Sequence, residues 1–243
     1  MLKDKKAVEC AADIARRFLL AAPAGSVCFS AADLCTPTTA LPVLEPFLQL
    51  HPDEDRAAVI SMWSQWYFAR LLPIWTRINL LYRWQLPSDP QAIRFCLEDT
   101  GVPRGFLLDD DGEQIAPGTN IFARFHPLVT GHLHPLCQTL SHLAGIAPSL
   151  FWNNAAIRIA YGFTLAQEQG LNTTDADPLL TSKTQPDGTL NRLFAPVRHI
   201  DDTEGGSAHM IRRQCCLRYK LSDAEYCPSC PLLLAERRKN RRV

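Results

Sequence analysis

The chain lacks an excess of charge of either sign: 25 Lys and Arg residues stand against 25 Asp and Glu in 243 residues. A balanced surface has no general pull toward nucleic acid or an anionic membrane, so a charged partner must be met by a local patch. Long apolar runs are missing too. The best candidates, residues 71–86 and 18–24, are broken by Arg77 and Arg83 or are too short for a bilayer, so no integral membrane segment is expected. Lys3, Lys5 and Lys6 ahead of residues 18–24 faintly imitate a signal peptide. Glu9, Asp13, Arg16 and Arg17 interrupt the region that should be apolar, which leaves an amphipathic helix over 7–21 as the expectation. No G-x-G-x-x-G follows a strand, so neither NAD nor flavin is expected as a resident cofactor. Four histidines fall in one helical pattern, but His132 and His134 lie on different faces. No HExxH accompanies them or His126 and His142, so they read as ordinary helix histidines. The run 109–113 lacks the later ligands of an EF-hand and reads as a solvated turn.

What is present is ample material for a core, with 47% hydrophobic residues. Apolar residues recur at helical spacing over 53–72, opened by Asp53, Glu54 and Asp55 at the positive helix end, and Pro73 is expected to end or kink that helix before a second piece over 74–84. Further helices are expected over 40–50, 122–145 and 150–169, and a short one over 177–180. Residues 92–98 and 104–109 read as strands about a turn, as do 194–200 and 208–213, which would deliver the next residues to the surface. The fold class is therefore α+β, predominantly helical with two β-hairpins and a C-terminal cysteine loop. Tryptophans at helical intervals usually pack, so Trp63, Trp66 and Tyr67 read first as core. The amides Asn153 and Asn154 either brace neighbouring elements or hydrogen-bond a ligand.

Nine cysteines are present, and four cluster near the end: Cys215, Cys216, Cys227 and Cys230. The other five, Cys10, Cys28, Cys35, Cys96 and Cys137, share no spacing and read as buried free thiols in a reducing compartment. Four soft sulfurs in one compact loop suit zinc, an iron–sulfur centre or disulfides. Zinc sites are commonly built from two C-x2-4-C knuckles, and only the second half here is one. Adjacent cysteines in an extended chain diverge, which strains a grip on one small ion but reaches a longer two-iron, two-sulfur rhombus more easily. The spacing thus favours the cluster over zinc, and zinc over disulfides.

The run Arg212, Arg213, Gln214, Cys215, Cys216, Leu217, Arg218, Tyr219, followed by Cys227 and Cys230, resembles the C-terminal signature C-C-x10-C-x2-C of the FhuF family of siderophore-iron reductases. Residues 61–67 and 150–154 resemble family segments as well. The resemblance implies a 2Fe-2S cluster ligated by the four cysteines, which relays one electron to a ferric siderophore, often a hydroxamate, and releases ferrous iron. It further implies a chelate-binding α+β domain over 1–205 and a cluster-binding segment over 206–243. Trp63, Trp66, Tyr67, Trp152, Asn154, Arg213 and Arg218 become candidate chelate-binding residues. The expected setting is the cytoplasm, or the inner face of the inner membrane as a peripheral protein. The expected donor is external, such as a ferredoxin or flavin reductase, and the basic residues Arg237, Arg238, Lys239, Arg241 and Arg242 offer it a docking patch. A zinc-stabilised binding protein and an iron–sulfur sensor are the competing readings. Neutral charge and the lack of a helix-turn-helix count against a sensor that binds DNA.

Overall fold

The computed structural model describes residues 2–200 and 209–233. The basic patch after residue 233 and the tip of the second hairpin lie outside them. Two long helices carry the architecture: α3 (Arg56–Tyr82) and α6 (Ser149–Gln167). Around them stand α1 (Leu2–Arg17), α2 (Pro37–Gln49), α4 (Ile121–His126), α5 (His134–Ala144) and the single-turn α7 (Pro178–Thr181). The α+β, mostly helical class is what the structure shows.

Asp55 caps α3 by accepting from the backbone N–H of Ala58 at 3.0 Å, which satisfies one orphan donor of the first turn. Of the two expected outcomes at Pro73, an end or a kink, the helix does not end there but runs 27 residues through it. An internal proline costs about 3 kcal/mol. The cost is offset here because Leu71, Leu72, Pro73 and Trp75 are all buried, so packing holds the backbone helical on both sides of the ring. Gly162 of α6 lies against this point. A Cβ there would fall 2.5 Å from the Thr76 Cβ and 2.9 Å from the Pro73 carbonyl oxygen, so only glycine permits the two long helices to approach so closely.

The expected helix over 122–145 is present as α4, a π-helical turn over Pro127–Leu133, and α5. Within the wider turn His132 is buried, its Nε2 3.0 Å from the Tyr67 hydroxyl. At the N-terminus, α1 is fixed by Asp13, which pairs with the buried Arg77 of α3 and lies 3.5 Å from Arg17.

The first expected hairpin is there, β3 (Ile93–Leu97) against β4 (Pro103–Leu108), and its antiparallel register sets Phe95 opposite Phe106. A third strand, β1 (Cys28–Ser30), was not foreseen. It pairs with β3 and makes the order β1-β3-β4. That register sets Cys28 opposite Cys96, and the two form a disulfide, which corrects the expectation of free thiols at these positions. Cys10, Cys35 and Cys137 remain free. A small ribbon of β2 (Trp84–Gln85) with β5 (Glu113–Gln114) was also unforeseen. The second expected hairpin is β6 (Val197–Ile200) with β7 (His209–Arg212), and the cysteine segment follows β7 directly.

Candidate metal centre

The segment after β7 is held against the first turns of α3 and α6 by a polar ladder. Ser61 of α3 donates through Oγ to the Cys216 carbonyl at 2.8 Å. Asn154 of α6 donates to the Ser61 and Ser64 hydroxyls at 3.2 and 3.0 Å, and its own Oδ1 accepts from the Arg212 guanidinium. Arg212 also donates to Gln65 Oε1 at 3.2 Å. Asn153 donates to the Pro196 carbonyl at 2.7 Å and accepts from the Gln214 N–H at 3.3 Å. At the far end Lys220 reaches Asp55 at 2.5 Å, and the Ser222 N–H donates to Glu54 at 3.0 Å. The buried amides Asn153 and Asn154 brace the segment, each engaged with protein through both its nitrogen and its oxygen.

Three of the four cysteines, Cys216, Cys227 and Cys230, are buried together, with Tyr226, Leu232 and Leu233 packed around them. Cys215 is half-buried, and its sulfur accepts the Leu217 N–H at 3.4 Å. Leu217 sits at φ +61°, a left-handed conformation unusual for leucine, which turns the chain directly after the vicinal pair. Cys230 N–H donates to the Cys227 carbonyl at 2.9 Å and closes the C-x2-C turn. The Cys216 and Cys227 sulfurs are 3.8 Å apart. Two thiolates held at about 2.3 Å by one tetrahedral metal are separated by about that distance.

Charge around the thiols is one-sided. The Cys216 thiol is held below its ordinary pKa, mainly by its hydrogen-bonded contact with the Cys227 thiol and further by Arg212, against the opposing effect of burial. Cys227 moves the opposite way, because the pair shares one proton. Arg158, half-buried on α6, has its pKa lowered by desolvation and then by repulsion from Arg212, while the Cys216 thiolate opposes that shift. Among the described residues, Arg212 and Arg218 each keep a buried Nε–H without an acceptor. Two ferric ions, two sulfides and four thiolates sum to a dianion. Arg158 and Arg212, which repel each other, and the unpartnered Nε–H groups of Arg212 and Arg218 fit such an anion, and so does the all-sulfur donor set, since thiolates are the ligands of 2Fe-2S clusters.

The candidate chelate-binding residues divide sharply. Trp63 and Tyr67 are fully enclosed in the aromatic core, where the Trp63 ring N–H donates to the Gly101 carbonyl at 3.0 Å, so they have no surface to offer a ligand. Asn154 is spent in the ladder. Trp66 is 44% exposed beneath the Arg70 guanidinium. Trp152 is buried but lines two adjoining cavities, Arg213 is exposed over the Phe194 ring, and Arg218 is half-buried. Ser61, Ser64 and Arg158 escaped the sequence argument. For Arg158 a signal existed, since it lies four residues after Asn154 and so on the same helix face.

Among the described residues, no helix is long and apolar enough to cross a membrane. Residues 61–207 match the family model described as "Ferric iron reductase FhuF-like transporter". Residues 212–232, with all four clustered cysteines, match the FhuF 2Fe-2S C-terminal domain. A curated relative, the ferric siderophore reductase of Escherichia coli (strain K12), is 28% identical over 181 residues, covering 73% of this chain and 67% of that one. The cofactor is a 2Fe-2S cluster, the enzyme class is oxidoreductase, and the chain belongs to the FhuF family of ferric iron reductases.

Proposed function

We propose that this chain reduces ferric iron held in a hydroxamate siderophore by one electron, so that ferrous iron is released in the cytoplasm. The observation that supports this most is the thiol pocket ringed by Arg158, Arg212 and Arg218, two of which have unspent N–H groups. Cys215, Cys216, Cys227 and Cys230 are the proposed ligands, with residues 206–243 the cluster-holding segment and 1–205 the chelate-binding domain it packs on. When bound, the cluster supplies a one-electron store. The chain's residues do the rest. Asn154, Ser61 and Gln65 fix Arg212, and the arginines offset added negative charge where it would otherwise be buried uncompensated.

The sequence has no nucleotide-cradling glycine loop, so the electron is supplied by a separate donor, a ferredoxin or flavin reductase. Ligand cysteines must remain reduced, which suits the cytoplasm. The Cys28–Cys96 bridge is shielded from thiol exchange on the Cys96 side, which is fully enclosed, while Cys28 is half-buried. The test is anaerobic purification with iron and sulfide analysis, then visible and paramagnetic-resonance spectra before and after ferric siderophores are added. Iron and sulfide in equal amounts and reoxidation of the reduced protein by a ferric hydroxamate are expected. A colourless protein with one zinc and no sulfide would overturn the reading.

A further inference from the structure

Two cavities of about 190 and 220 Å³ lie side by side and share Trp152, Leu190, Asn191 and Arg192 in their walls. Each is smaller than the roughly 300 Å³ at which small-molecule pockets begin; together they make a two-part groove along these shared walls. Its far end lies at α4 and the π-helical turn, at His126 and His134. Its near end is formed by Arg213 and Gln214, the residues immediately before Cys215.

The lining contains two arginines and two histidines and no aspartate or glutamate. Arg192 lies over the Trp152 ring at 5.6 Å and Arg213 over the Phe194 ring at 5.0 Å. Stacking of this kind leaves the guanidinium N–H groups free to donate. Among the described residues neither arginine meets a carboxylate. The loop that presents Arg192 is preorganised: Asn191 donates to the Leu179 and Ser182 carbonyls at 2.8 and 2.9 Å and accepts from the Leu193 N–H at 3.0 Å. Trp152 is only 3% exposed, and its ring N–H has no acceptor among the described residues.

From this we infer that the groove between Trp152, Arg192 and Arg213 is the docking site for the ferric chelate, and that it selects chelates of net negative charge. The inference rests on the reductase reading and names the site and substrate class for it. Aromatic and apolar walls cover the organic part of the chelate, and the stacked arginines meet its anionic groups by bidentate, charge-assisted hydrogen bonds. Docking against Arg213 brings ferric iron beside the cysteine segment, so one electron passes outward and the chelate gains one negative charge with no bond to the protein formed or broken.

The test uses the complete holoprotein and two ferric trihydroxamates with the same iron core: ferrioxamine B, with a pendant ammonium, and its N-succinyl derivative, with a pendant carboxylate. The anionic chelate is expected to reoxidise the reduced protein with a KM about five- to tenfold lower, a preference that shrinks with added salt. Arg192→Glu and Arg213→Glu should each abolish the preference in KM and in gallium-chelate affinity, whereas Arg16→Glu, on α1, should leave it intact. The redox-silent gallium(III) forms of both chelates should bind in the same order by calorimetry. If both charge reversals leave KM and gallium-chelate affinity unchanged while reoxidation proceeds, the groove is not the site and the reductase reading survives. If neither ferric chelate reoxidises the wild type and neither gallium chelate binds, the reductase reading falls and this inference with it.

Discussion

The two sides of α3 bury different chemistry at the same depth. On one side Trp63 and Tyr67 stack at 5.6 Å and meet Phe95, Phe106 and the π-turn histidine in a closed aromatic core. On the other, Ser61, Ser64 and Gln65 hold the cysteine segment by hydroxyl and amide bonds. The aromatic side uses nearly all its contacts on itself and stabilises. The hydroxyl side ends in arginine Nε–H groups that have no acceptor among the described residues, which suits a site for an anionic group. Burial alone therefore does not mark function on this helix, and neither do unpartnered polar atoms, which Trp75, Thr76, Arg77 and Asn79 also keep; what marks it is that the unpartnered groups are arginines beside the clustered cysteines.

The largest effect that separates the two sides comes from the thiols. Cys216→Ser or Cys230→Ser should eliminate visible absorption and lower turnover by at least about 100-fold, with circular dichroism unchanged. Normal colour and turnover in either variant would remove that cysteine from the ligand set. Trp63→Ala should do the reverse. A loss of about 3–5 kcal/mol in unfolding free energy is expected from the deleted indole and the cavity left behind, with absorption per folded molecule preserved. Denaturant unfolding of the holoprotein checks this, and a variant with wild-type stability but a bleached spectrum would invert the assignment of the two sides.

Next in size is a pH effect confined to the aromatic side. Burial lowers the His132 pKa from 6.5 to about 4. Between those values the unfolded chain binds the proton and the folded chain does not. The stability from neutral burial is complete above pH 6.5 and lost as pH falls toward 4, on the order of 3 kcal/mol at most. Melting temperature followed from pH 7 to 4 should fall more steeply for the wild type than for His132→Gln, and parallel curves would show that His132 already titrates normally when folded. On the polar side, Asn154→Ala removes the acceptor for Arg212 and the donor to two serines. Cluster loss to an external chelator should accelerate about 10- to 100-fold. Unaltered retention would reduce Asn154 to packing.

What was legible in the sequence follows the range of each interaction. The cysteine constellation could be found because ligand spacing is local, and α3 and α6 because helical periodicity is local too. Pro73 left an end or a kink equally open because the rule for isolated helices omits the packing of Gly162 and Thr76 against it. The three-residue β1 carries too little pattern to be seen alone, and the bridge it makes joins cysteines 68 positions apart that share no motif. Trp63 and Tyr67 read correctly as helix-spaced aromatics, but spacing could not tell an enclosed face from a ligand wall. Arg192 drew no notice because its loop has no period; its place above Trp152 exists only after α6 and residues 183–196 have packed.

The smallest expected effect is the most specific to the charged side. Arg158 lies one turn beyond Asn154, and its own shift registers both Arg212 and Cys216, so its charge is felt in the thiol pocket. Removing it should disfavour the more negative, reduced form of the centre. At partial burial one such cation contributes about 1 kcal/mol, which for a one-electron couple is on the order of 40 mV. Arg158→Met keeps much of the aliphatic volume, so redox titration of the variant should give a midpoint lower by about that amount, with an unchanged line shape in the paramagnetic-resonance spectrum. Arg16→Met, an equal loss of charge on α1, should not move the midpoint measurably. Equal shifts in the two variants would mean that net charge rather than placement sets the potential, and the contrast between the two sides of α3 would then rest on the ligands alone.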